Sequence, residues 1–144
     1  MKEDIVKQRA ARKEFLDDMV AYYRVDPAAR RSVSSRTAYD PDGYSYVSNQ
    51  CTYAPVKETS EGCAIGRCLS RNQAELFDKS SSAGEVATVA TIFIYLPEKL
   101  KALGRDFLTA VQAFHDVHSN WVDDVAIDYR YQLIINEFIA EPLI

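Results

Sequence analysis

The chemistry this sequence offers is concentrated in five soft side chains. Cys51, Cys63 and Cys68 share one short stretch, CTYAPVKETSEGCAIGRCL, and His115 and His118 lie three apart further on. They suggest a metal site or a thiol nucleophile. Structural zinc needs four ligands at tetrahedral corners, usually presented by tight Cys-x2-4-Cys knuckles. Here the Cys63-x4-Cys68 and His115-x2-His118 spacings match no standard finger or ribbon. Cys51, Cys63, His115 and His118 are the set a zinc-stabilised module would use, and no cofactor is expected. A nucleophile would be Cys63, its thiol acidified if a helix began at Gly62-Cys63. His115 would then be the base and Asp116 or Asp128 the orienter, making a Cys-His hydrolase or transferase. The spacing favours a third reading. The cysteines are small buried hydrophobes, and Gly62-Cys63-Ala64-Ile65-Gly66 is a packing elbow.

Other elements must position these residues. Apolar residues recur at helical spacing from residue 3 to about 24, patchily before Phe15, and Asp26-Pro27 ends that helix. Its first two turns are expected to project. Residues 27–44 are dominated by Ser, Arg, Asp, Pro and Gly and read as a loop, with a turn at Asp40-Pro41-Asp42-Gly43. Tyr44 to Tyr53 reads as a strand, Pro55 to Gly62 as a polar connection that turns the chain back, so that Cys51 and Cys63 would lie close in a hairpin. Ser70-x-x-Gln73 is a capping box for a helix over 71–77. After the link Ser80–Gly84, the run Val86–Tyr95 reads as a buried strand, with a buried helix as the alternative. Helices follow from Pro97, over Arg105–His118 with Phe107, Leu108, Val111 and Phe114 inward, and from about 127 to 140, closed by Pro142. The expected fold is therefore α+β. It is one small domain, mainly helical, with a small sheet of two or three strands. Residues 1–26 form the long helix, 27–44 the loop and 45–144 the core.

Charge narrows the function classes. The net charge is -4, so general nucleic-acid binding is not expected. Residues 1–37 carry nine Lys/Arg against six Asp/Glu, and the remainder eight against fifteen. Arg24, Arg30, Arg31 and Arg36 cluster where they could contact phosphate or an acidic partner, although such runs are more often solvated. Trp121 beside Asp123, Asp124 and Asp116 could anchor a partner surface. A core tryptophan at a helix corner is the commoner case. The N-terminal residues have no apolar segment of signal type. The longest apolar run, Ala87–Leu96, is well short of the roughly 20 residues that span a bilayer. The expectation is a cytoplasmic protein with no membrane partner and with cysteines as thiols.

Three stretches together resemble a group of small uncharacterised proteins encoded by bacteriophages and prophages. They are Cys51-x-Tyr53, Gly62-Cys63-Ala64-Ile65-Gly66-Arg67-Cys68-Leu69, and Phe107-Leu108-x-x-Val111-Gln112-x-x-His115-Asp116 followed by Asn120-Trp121. The resemblance spans about residues 45–140. Cys68 departs from it, since an apolar residue is commoner there. The resemblance brings no activity with it. It implies a small protein that acts in the host cytoplasm by binding a host protein, inhibiting or redirecting a defence or regulatory complex. It also implies that Cys51, Cys63, His115 and Asp116 meet in space. The acidic body and the long helix are the expected contact surfaces, and a homodimer through the stripe of that helix is a further expectation.

Overall fold

The computed structural model describes residues 2–31, 33–54, 62–79 and 88–140. The connection 55–61, the serine link 80–84, Val86 and Pro142 lie outside the described residues, as do the side chains of Cys51, Arg36 and His118.

Helix α1 spans Lys2–Val25. Its C-terminal half buries Leu16, Met19, Val20 and Tyr23, an i, i+3, i+4, i+7 stripe that seats one face on the core. The N-terminal half is held by polar side chains. Gln8 Nε2 donates to the Ala102 carbonyl at 2.9 Å, and Arg12 donates to the carbonyls of Leu103 (2.8 Å) and Phe138 (2.9 Å). The expected projection of the first two turns is thus shorter than the patchy stripe suggests: the helix is tied down from Gln8 onward.

Residues 27–44 are not a loop. A short helix α2, Pro27–Arg30, precedes strand β1, Val33–Tyr39. It pairs antiparallel with β2, Ser45–Cys51, in the register Val33 to Cys51 through Tyr39 to Ser45. The expected turn joins them: Asp40 Oδ1 accepts from the backbone N–H groups of Asp42 and Tyr44, and Gly43 takes φ +88°, as an Asx-initiated turn requires. The strand was hidden because its residues are Ser, Arg and Thr, without the apolar alternation that a half-buried strand carries. Cys51 consequently pairs across the ladder with Val33, not with the Cys63 segment.

The expected strand over 44–53 is β2, whereas the run 86–95, expected as a second strand, is helical over most of its described residues. Val89–Ile92 forms helix α4, followed by a 3-10 turn over Phe93–Tyr95. Thr88 caps it by accepting from Thr91 N–H; among the described residues of the run only Val89 and Ile92 are buried, and Leu96 just after it is buried too. That 3,4 spacing is the helical one, and it outweighs the β-branched composition. Helix α3, Arg71–Lys79, begins where expected, with Ser70 Oγ accepting from Gln73 N–H. Helix α5 covers Glu98–Lys101, with Pro97 as its N-cap rather than its first residue.

Helix α6, Arg105–Asp116, is the centre of the core. Phe107, Leu108, Val111, Phe114 and His115 are all sealed from solvent, so truncating Phe107 to Ala should cost about 3–5 kcal/mol. His118 opens a separate 3-10 turn to Trp121. Helix α7, Asp124–Ile134, starts three residues earlier than the apolar pattern indicates because Asp123 caps it, and it ends in a π turn over Ile135–Ile139. The fold is therefore mainly helical. Its described β-structure is the β1–β2 hairpin.

Candidate functional site

The elbow after the Cys-x-Tyr stretch is built by close backbone approach. A methyl group on Gly62 would come within 2.0 Å of the Tyr53 carbonyl oxygen, and one on Gly66 within 1.8 Å. Only glycine lets the two segments touch. Cys63 N–H donates to the Thr52 carbonyl at 2.9 Å, so the chain does fold back here, through one backbone hydrogen bond among the described residues. On the other side, the Asp78 carboxylate of α3 accepts from Tyr53 N–H (2.8 Å) and Ala54 N–H (3.0 Å). Tyr23 of α1 donates its hydroxyl to the Gly62 carbonyl at 2.6 Å.

Helix α6 meets this elbow with a polar face. Gln112 Oε1 accepts from Ile65 N–H at 3.4 Å, and Gln112 Nε2 donates to Asp116 Oδ1 at 2.9 Å. The same oxygen lies 2.8 Å from His115 Nδ1. The Tyr23 ring packs edge-on to the imidazole with centroids 4.6 Å apart. His115 is fully buried, and its Nε2 has no hydrogen-bond partner among the described residues. Burial holds the His115 pKa below the ordinary range; Asp116 pulls it upward and the Arg31 charge pushes it down again. The ring is therefore neutral, with Nδ1–H donating to Asp116.

The Cys63 thiol is fully buried and pushed far up, first by burial and then by the Asp116 charge. The Gly66 N–H, 3.3 Å from Sγ, and Gln112 oppose this without offsetting it. A nucleophilic cysteine needs the opposite environment, electropositive and partly open. No hydrogen bond joins Cys63 to His115, whose Nδ1 goes to Asp116 and whose Nε2 is unpartnered. Asp128 sits with Arg24, not with His115. Among the described residues, no three His, Cys, Asp or Glu side chains converge to hold a metal. What the cluster does is finish α6: Arg31, itself buried, donates to the carbonyls of His115 and Asp116, both at 2.7 Å. Trp121 Nε1 donates to the carbonyls of Phe114 (3.0 Å) and His115 (3.2 Å). These are the orphan acceptors of a helix C-terminus.

The surface candidates fare similarly. Trp121 is 5% exposed and faces the core. Asp123 caps α7, and Asp124 lies 3.4 Å from Arg24. Arg30 donates to the Tyr22 carbonyl and stacks over the Tyr22 ring at 4.6 Å, with Arg67 over the same ring at 4.3 Å. Arg24, Arg30 and Arg31 thus hold the fold together. Comparison with protein-family models, with curated proteins and with solved structures finds no match.

Two features escaped the sequence reading. Gln112 joins the elbow to Asp116, and its position three before His115 on one helical face was the available signal. The other is the hairpin tip, where Tyr39 (51% exposed), Tyr44 (74%) and Tyr46 (42%) stand out in solvent around Asp40 and Asp42. Reading β1 as a loop concealed it.

Proposed function

We propose that this is a phage- or prophage-type protein that acts in a host cytoplasm by binding a host protein, blocking or redirecting a defence or regulatory complex without catalysing a reaction. The observation that carries the reading is the tyrosine-bearing tip of the β1–β2 hairpin. Three exposed tyrosines sit on a turn locked by Asp40. Tyrosine gives large amphipathic contact area at low entropic cost, and it is enriched among interface anchors. None of the three belongs to the buried core cluster of the described residues. The sealed Cys63–His115 region supports the same reading, because it offers a substrate no open thiol.

The test is affinity capture from bacterial lysate with wild-type protein and a Tyr39→Ser/Tyr44→Ser/Tyr46→Ser variant. The expected result is one recurrent host protein, lost in the variant while its circular dichroism and melting are retained. Recovery of only the bare protein from several hosts, or capture indifferent to the three tyrosines, counts against the proposal.

A further inference from the structure

Helices α6 and α7 leave an open groove on the surface. One wall is Ala110, Ala113 and Val117, the other Arg130, Leu133 and Glu137. It is mostly apolar, and the two alanines keep one wall low. Leu133 is 41% exposed at its edge, and Tyr129, one turn earlier on α7, is 62% exposed. Neither Arg130 nor Glu137 has a salt bridge among the described residues; Arg130 only lies 5.9 Å from its neighbour's ring, Tyr129. An apolar ridge beside an apolar groove, flanked by two unspent opposite charges, asks what covers it.

We infer that a second copy of this chain docks here, with α7 packed antiparallel on α7 of the other copy about a two-fold axis beside Leu133. Charge geometry selects this occupant. Arg130 on α7 and Glu137 in the π turn that follows it line the same groove, and so lie on one side of this segment. In antiparallel helix pairs, like flanks face each other. An axis midway between the two residues places Arg130 of each copy opposite Glu137 of the other, so one residue pair supplies two salt bridges, as an isologous interface demands. Leu133 of each copy then faces the groove of the other, where Ala110 and Ala113 make room. Half a heptad of slippage toward Tyr129 sets Arg130 against itself, which disfavours that register.

The inference is tested by sedimentation and light scattering up to about 1 mM, the weak limit of specific association. Wild type is expected to shift from the 16.3 kDa monomer to twice that mass. Leu133→Asp should remain monomeric with its melting transition retained. Arg130→Glu and Glu137→Arg should each weaken association about tenfold, and the double swap should restore it to within about threefold, because opposite charges again face one another. If Leu133→Asp loses its cooperative melt, the charge swaps decide. A wild-type monomer throughout the range overturns the inference. So does a dimer that ignores both sets of variants, for it would be using another surface, such as the exposed Ile5 and Val6 on α1.

Discussion

Acid should weaken this fold through His115. The imidazole is fully buried, with Nδ1 bonded to Asp116 and Nε2 facing no acceptor. Protonating it in place would create a buried N–H without a partner, worth about 1–3 kcal/mol or more against the charged form. That agrees with the lowered pKa, which burial causes. The sign follows. Below the ordinary value of 6.5 the unfolded chain takes up a proton that the native ring refuses, so protonation favours unfolding. Stability is complete above pH 6.5 and falls by about 1.4 kcal/mol per pH unit until the native pKa is reached. For a chain of this length, one such unit lowers the melting temperature by roughly 5 °C. Asp17 does not confuse the window. Burial would raise its pKa, but hydrogen bonds from Lys13 and Tyr131 outweigh this and leave it below 3.8, so its contribution fades only at lower pH. The assay is urea denaturation between pH 7.5 and 4.5 for wild type and His115→Gln. His115→Gln should be less stable at neutral pH yet lose the slope between pH 6.5 and 4.5. An unchanged slope in His115→Gln would refute the reasoning.

Two further predictions concern the elbow. Gly66→Ala puts a methyl group 1.8 Å from the Tyr53 carbonyl oxygen, and should cost about 3 kcal/mol or more in denaturant unfolding; Gly43→Ala, strained only by its positive φ, should cost about 1–2 kcal/mol. Equal costs would remove the close-approach argument. Native protein treated with a maleimide should be labelled at exposed Cys68 and protected at buried Cys63 until denaturant is added. Peptide mass spectrometry reads this directly, and native labelling of Cys63 at the rate of Cys68 would reopen the nucleophile.

The residues that met a burial requirement were legible in the sequence. The stripes of α6 and of the second half of α1 gave their own faces, and Ser70 and Asp40 marked a cap and a turn by their short polar side chains. What composition obscured was structure made without apolar contrast. Strand β1 is polar and Val89–Ile92 is β-branched, so the first reads as loop and the second as strand. The expected meeting of the elbow with the His115 helix is present, but through Gln112 and Tyr23. Hydrogen bonds across so many intervening residues leave no mark in local spacing. The role of Arg31 is of the same kind, since nothing near residue 31 says that two carbonyls of α6 require donors.

Those long closures also bear on how the chain is made. Arg12 is bonded to Phe138, Gln8 to Ala102, Tyr23 to Gly62 and Arg31 to the end of α6. During synthesis α1 is made before these partners, Gly62 coming first and Ala102, α6 and Phe138 well after it. Its half-stripe of Leu16, Met19, Val20 and Tyr23 is exposed through that interval, guarded by the charges of its N-terminal half. Docking of α1 is consequently a late event, set by contacts of large sequence separation.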